Sequence, residues 1–343
     1  MRMSRTKKRI PDLMIDQSSH SNRRDLLTGL IGSSLALGAG TLGFVAPASA
    51  AVGPRSGRAW HTGASIDQYA SFARFRGRPL DTITCWCQHE SWSEIVGLKG
   101  GFVTARQSGA RVSLAIAPLP KSLNGVRNPG NWRLAANGSF DGYYTEFAKK
   151  LASSGTKNPI VRIGWENNGI SRPWFCGTDG GAFKATWQRI ASILRRYNPS
   201  VLTEWSNIKK GAQPGSILNY YPGDQYVDIV GVNYYDGWPA LTTQSAWNSQ
   251  YNAEYKGGPY GIGAWYQFAR SRGKQLGCSE WGINAGRYGC IDNPLYIENM
   301  HDFFVRNSGG IAYENYFNQK SYHQLMPGTR NPKASAKYRQ LWS

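Results

Sequence analysis

Cysteine and histidine are scarce, five of each in 343 residues. The cysteines show no zinc-type spacing, and the chain contains no His-Glu-x-x-His, no Gly-x-Ser-x-Gly and no phosphate-cradling Gly-Lys-Ser/Thr. These absences argue against zinc hydrolases, nucleophile-elbow esterases and P-loop enzymes, and neither a metal nor a cofactor is expected. Five is an odd number, so at least one thiol stays unpaired in a monomer. Cys85, Cys87 and Cys278 fall in apolar runs and are expected to be small buried residues, whereas Cys176 and Cys290 fall in loop-like segments and are candidates for a disulfide. Acidic residues are also short, 21 against 40 Lys and Arg. A basic surface favours anionic partners such as an acidic polysaccharide, and with no Lys/Arg-rich run outside the N-terminus a nucleic-acid partner is not expected.

Residues 1–50 read as an export leader. Arg2, Arg5, Lys7, Lys8 and Arg9 precede the pair Arg23–Arg24, and no charge appears from Leu26 to Ala46. The segment closes on Ala48-Ser49-Ala50, the small-x-small pattern that a signal peptidase cuts. The paired arginines point to the twin-arginine route, so a secreted or periplasmic protein is expected, with no stable membrane insertion after cleavage. Gly38-Ala-Gly-Thr-Leu-Gly43 matches the dinucleotide fingerprint as a string, but it follows no strand and opens no helix. Residues 51–343 suit one α/β barrel of ~250 residues and are expected to act as a monomer.

In that stretch, short apolar, β-branched runs alternate with amphipathic segments, the pattern of parallel βαβ units. Eight strands are expected, at Ala59–Ala64, Thr82–Cys87, Arg111–Ala117, Pro159–Gly164, Val201–Ser206, Val227–Asn233, Gln275–Ser279 and Gly310–Tyr316. Helices are expected over Asp141–Ser153, Gly181–Tyr197, Gly261–Arg272, Pro294–Asn307 and Lys333–Trp342, with Asp141 as a cap and Pro294 in a first turn. Eight strands with intervening helices describe a (β/α)8 TIM barrel more readily than a doubly wound sheet. The loop-rich stretches 118–140 and 236–260 have the lengths that build a cleft above the strands. Thirteen Trp and nineteen Tyr supply rings that can stack on sugar faces or anchor a core.

Two carboxylates stand out. Glu166 follows the apolar run Ile160-Val-Arg-Ile163, and Glu280 follows Leu276-Gly-Cys-Ser279. Each sits beside a Trp at the C-terminal end of a strand, where barrels place their active sites. Glycoside cleavage needs such a pair, one carboxyl protonated to release the leaving oxygen and one ionised. Glu314 and Asp236 are further strand-end acids and rank below them.

Around both glutamates the sequence resembles clan A glycoside hydrolases, most closely family 26, the β-mannanase-type group. Arg162, Glu166, Asn168 and Gly169 match that family's strand 4 segment, and Ser279-Glu280-Trp281-Gly282 matches its strand 7 segment. The strand 6 signature resembles Val227–Asp236, which implies that Tyr234 or Tyr235 hydrogen-bonds the nucleophile. The resemblance runs from strand 4 to the C-terminus and is weak over the first three strands. It implies Glu166 as acid/base and Glu280 as nucleophile of a retaining double displacement, with Trp174 and Trp205 lining the cleft. Trp165 stands where the family has His, and an indole accepts no hydrogen bond from a sugar hydroxyl. That departure leaves the two-glutamate mechanism in place and the mannan specificity open. Trp165, Asn168, Trp281 and the histidines His61, His89 and His323 complete the set expected to reach substrate.

The sequence therefore points to a retaining endo-glycosidase acting on a β-linked polysaccharide such as mannan, glucan or an exopolysaccharide. Two rivals differ in class: a non-catalytic polysaccharide-binding or assembly protein that keeps the cleft, and a polysaccharide lyase acting on uronic acids.

Overall fold

The computed structural model describes residues 53–123, 129–237, 239–287, 290–319 and 322–343; the leader expected over residues 1–50 lies outside them. Eight parallel strands close into a barrel: β1 (Thr62–Ser65), β2 (Thr82–Trp86), β3 (Arg111–Ile116), β4 (Ile160–Ile163), β5 (Leu202–Ile208), β6 (Ile229–Tyr235), β7 (Gln275–Gly282) and β8 (Ile311–Tyr316). Each strand pairs with its neighbour in chain order, and β8 closes on β1 with Thr62 opposite Glu314. All eight coincide with the expected runs to within a few residues. Their residues are buried almost without exception, as befits strands covered on one face by helices and on the other by the barrel interior.

Ten α-helices lie among the described residues: α1 (Tyr69–Phe75), α2 (Trp92–Val96), α3 (Phe102–Gln107), α4 (Pro129–Ala136), α5 (Asp141–Ser153), α6 (Gly180–Tyr197), α7 (Gln244–Tyr251), α8 (Ile262–Ser271), α9 (Pro294–Arg306) and α10 (Pro332–Trp342). The five expected helices are α5, α6, α8, α9 and α10. The first three are five to seven residues long, too short to show a helical period. Helices α4 and α7, together with a small antiparallel hairpin (Glu254–Tyr255 with Gly258–Pro259), occupy the stretches expected to be loops. Pro294 opens α9 as expected, behind Asn293, whose side chain caps the helix by accepting from the Tyr296 N–H. Asp141 corrects one expectation: it sits inside the first turn of α5 behind Phe140 and takes the Arg189 guanidinium at 2.7 and 2.9 Å instead of capping.

The barrel interior carries a polar layer. Glu204 of β5 is fully buried there; Oε1 accepts from the Ser279 hydroxyl at 2.7 Å and Oε2 from the Tyr313 hydroxyl at 2.5 Å, while Tyr313 also bonds Ser113 at 2.8 Å. Room for this carboxylate comes from Gly231 and Gly277, where an added Cβ would overlap or press on Glu204. Every strand from β3 to β8 except β4 supplies one of these groups. Arg162 of β4 completes the layer, 3.5 Å from Glu204 Oε1.

All five cysteines are buried and unpaired, which overturns the Cys176–Cys290 disulfide. The Cys176 N–H bonds the Asn167 carbonyl, whereas Cys290 sits with Asp236 and Lys209, so the two thiols belong to different loops. Cys85, Cys87 and Cys278 are the small buried residues expected. No helix among the described residues is long and apolar enough to cross a membrane.

Candidate active site

Glu280 lies on β7 opposite Asn233 of β6, and Glu166 lies three residues beyond the end of β4. One guanidinium and one amide link them. Arg162, with no exposed surface, donates from Nη2 to Glu280 Oε1 at 2.8 Å, to Asn233 Oδ1 at 3.1 Å and to the Ser206 hydroxyl at 3.2 Å. Asn233 then donates from Nδ2 to Glu166 Oε1 at 2.9 Å. The second Glu280 oxygen accepts from the Tyr235 hydroxyl at 3.1 Å. The second Glu166 oxygen accepts from Arg172, Nε at 2.7 Å and Nη2 closer still. Both carboxylates are thus held at both oxygens, the arrangement that fixes a reacting group's orientation.

The electrostatics follow from burial and from the charges present. Burial pushes the Glu280 carboxyl up, Arg162 pulls it down, and the nearby Glu166 charge pushes it up again; the net direction is upward. Burial works against the Arg162 charge, but Glu280 and Glu204 outweigh it and hold the guanidinium above its ordinary value. Burial, then Glu280 and Glu166, raise Tyr235 far above the ordinary phenol range, so it stays a neutral donor.

Glu166 has a left-handed backbone, φ 52°. A side chain with a Cβ adopts that region at a cost of order 1 kcal/mol or more, and such residues gather at functional sites. Several bonds hold the turn. Trp174 Nε1 donates to the Trp165 carbonyl at 2.8 Å, and Asn167 donates to the Ser206 carbonyl at 2.7 Å. The Asn168 amide bonds both the N–H and the carbonyl of Ile208.

Among the residues expected at the site, the structure brings together Glu166, Glu280, Arg162, Tyr235 and His323. His323 packs its ring 4.7 Å from Tyr235 and bonds the Ile283 carbonyl through Nδ1 at 2.6 Å; burial lowers it, so it is a neutral prop. Trp165 is 4% exposed, clustered with Trp174 at 4.2 Å and His89 at 5.4 Å, and Arg172 lies 5.5 Å over its ring. His89 is accordingly a packing residue beside the site, and Trp165 seats Arg172 instead of offering a broad sugar platform.

The others are corrections. Tyr234 alternates to the outer face of β6, where its hydroxyl accepts from Gln250 at 2.8 Å, leaving Tyr235 as the Glu280 partner. Trp205 points outward into Trp265, Phe268 and Tyr221, and Trp281 points outward into Trp342 and Tyr316. Trp174 is completely buried beneath the β4 turn, and Asn168 serves the same turn. His61 precedes β1, beside Asp81 and Arg111 at the starts of β2 and β3, so it lies at the opposite barrel end. Both lower-ranked acids are structural: Asp236 accepts from Leu241 N–H and Asn293, and Glu314 from Trp281 and Trp342.

Sequence reasoning missed Asn233, Arg172 and the half-buried rings Trp86 and Phe317, which meet edge to face at 5.8 Å, Phe317 also touching Tyr235 at the same separation. Asn233 was legible only once Tyr235 is known to face inward, since strand alternation then puts Asn233 on the same face. Lys209 was not: it lies under the loop after β5, donates to the Tyr235 carbonyl at 2.7 Å, and is lowered by burial to about 8. Among the described residues no group of three His, Cys, Asp or Glu is placed to hold a metal.

No protein-family model matches the chain. Over 194 residues, 53% of this chain, the sequence is 29% identical to endoglucanase H of Acetivibrio thermocellus, and the match spans only 19% of that protein's length. The structure resembles the catalytic domain of a family 26 endo-β-1,4-mannanase from Bacillus sp. JAMB-750, with a TM-score of 0.58 at 16% identity over 84% of this chain and 88% of that one. It also resembles a family 26 β-mannanase from Bacteroides ovatus, with a TM-score of 0.56 at 14% identity over 82% of this chain and 87% of that one. At such identities the likeness is one of architecture: this chain has the (β/α)8 fold of the family 26 glycoside hydrolase structures.

Proposed function

We propose that the protein is a retaining endo-glycosidase of a β-linked polysaccharide, with Glu280 as nucleophile and Glu166 as acid/base. The observation that carries this is the bond path from Glu166 through Asn233 and Arg162 to Glu280, which ties two strand-end carboxylates into one rigid unit. Retention calls for carboxyls ~5–5.5 Å apart, close enough for one to attack the anomeric carbon while the other protonates the leaving oxygen. Arg162 and Tyr235 hold Glu280 with one oxygen each, so its attacking lone pair is aimed and its charge is supported. After Glu280 forms the glycosyl-enzyme, Glu166 takes a proton from the incoming water and the sugar–Glu280 bond breaks. The names of the similar proteins, endo-acting on mannan or glucan, favour a β-linked backbone and internal cleavage. The leader read over residues 1–50 would place the work outside the cytoplasm.

Reducing-end release from β-mannan, β-glucan, xylan and acidic exopolysaccharides tests this, comparing the wild type with Glu166→Gln and Glu280→Gln. Activity on any of these that both substitutions reduce by at least ~10³-fold is expected. Activity that survives both would remove the two glutamates from the chemistry.

A further inference from the structure

In the conformation described, one oxygen of Glu166 is closed to the proton that a general acid must carry. Arg172 donates to Oε2 from two nitrogens and so takes both of its lone pairs, whereas Oε1, which accepts only from Asn233 Nδ2, keeps one free. Arg172 must leave before Oε2 can carry a proton to a leaving oxygen.

Arg172 is placed to leave. Its side chain is 32% exposed against 14% for Glu166, so it reaches the carboxylate from the open side. Its guanidinium carbon lies 5.5 Å from the centroid of the Trp165 ring, a cation–π contact made independently of Glu166. The turn carrying it begins one residue after Gly169 and is anchored through Asn168 to the loop after β5. That adjacent loop bears Lys210, which is exposed, lies 4.9 Å over Tyr255 and 5.9 Å over Tyr260, and has no carboxylate partner among the described residues. Arg172, paired with Glu166, and Lys210, on the adjacent loop, are thus two cations each set against an aromatic ring.

We infer that Arg172 is a specificity latch for a polysaccharide carrying carboxylates: the sugar's carboxylate takes the Arg172 fork from Glu166, and Glu166 Oε2, released, takes a proton from water and becomes the acid. One ion pair is exchanged for another, so no net charge is left unpaired in the cleft. A neutral glycan offers nothing in exchange and leaves the latch closed. This inference rests on the glycosidase assignment for its kinetic form, but not for its binding form.

The probes are matched chains, β-1,4-mannan and β-1,4-glucan oligosaccharides beside the same oligosaccharides oxidised to carboxylates at C6. The wild type is expected to favour a carboxylated chain over its parent by about tenfold or more in kcat/KM, the factor one charge-assisted pair supplies. Arg172→Met is expected to abolish that preference, and Arg172→Lys, which keeps the charge without the fork, to restore part of it. A merely structural arginine would lower both activities together and leave their ratio unchanged. A wild type without the preference, or an Arg172→Met variant that retains it, overturns the latch while leaving the two-glutamate chemistry standing. If neither chain is cleaved, the same ratio is read in dissociation constants from tryptophan fluorescence. A preference for the carboxylated chain that Arg172→Met loses then supports the latch and removes the glycosidase assignment, and equal binding overturns the latch. Circular dichroism checks that each variant folds; if Arg172→Met does not, the Arg172→Lys ratio decides, an unchanged ratio counting against the latch.

Discussion

Glu314 offers a stability test independent of any substrate. It sits on β8 with no exposed surface, between the barrel and α10, accepting from Trp281 Nε1 at 2.5 Å, from Trp342 Nε1 at 3.0 Å and from the Thr62 hydroxyl. Thr62 in turn accepts from Arg76 Nη1 at 2.9 Å. Burial pushes the carboxyl up from its ordinary 4.5 to about 7, against the pull of these donors. The folded protein therefore holds this proton more tightly than the unfolded chain. The stability that Glu314 contributes is fully present below about pH 4.5 and is lost as pH rises through about 7. A displacement of that size corresponds to about 3 kcal/mol. Urea unfolding of wild type and Glu314→Gln at half-unit steps from pH 4.5 to 8.5 isolates it, because the amide fills the same space without titrating. The difference in unfolding free energy, wild type minus variant, is expected to fall by about 3 kcal/mol across that range. Parallel profiles would refute the reasoning and mean that the two indoles and the Arg76–Thr62 relay keep the carboxylate charged in the folded state.

Two further outcomes bear on the site and its support. Tyr235→Phe removes a donor from Glu280, whose carboxyl burial already pushes up; a hydrogen bond to a charge is worth about 1.5–3 kcal/mol, so the acid limb of the kcat/KM profile is expected to move up by about one pH unit or more. An unmoved limb with activity reduced at every pH would assign Tyr235 to packing. Gly231→Ala drives a Cβ into the Glu204 carboxylate, and a fall in unfolding free energy of about 1–3 kcal/mol is expected by urea denaturation. A wild-type value would show that Glu204 has room to move.

The barrel was legible because its strands announce themselves. Runs such as Ile160–Ile163 and Ile229–Tyr235 are buried on both faces and so read as mainly apolar, β-branched segments between amphipathic helices, each interrupted by one polar residue, Arg162 or Asn233. The two glutamates were legible from their place at strand ends. Which aromatics face the site was not, since Trp205, Trp281 and Tyr234 have the same composition value on either face. Their outward direction depends on strand parity, and a one-residue error in a strand's start reverses it. His61 failed for a different reason: the expected strand began three residues before the observed Thr62, so His61 precedes β1 and lies at the opposite end of the barrel. Arg172 lay beyond sequence reasoning because its contact with Glu166 depends on the left-handed turn at Glu166, which no local pattern of large residues indicates.

The polar layer inside the barrel makes the site adjustable from beneath. Arg162 divides its charge between Glu280 in the cleft and Glu204, whose other oxygen is bonded by Tyr313 from the far side of the barrel. Altering Tyr313 or Ser279 changes how much of that charge Glu204 claims, and so how firmly Glu280 is held, without touching any surface a polysaccharide would meet. Proteins that share this barrel can therefore diverge in how firmly the carboxylate at this position is held, through residues that a comparison of surface contacts would pass over.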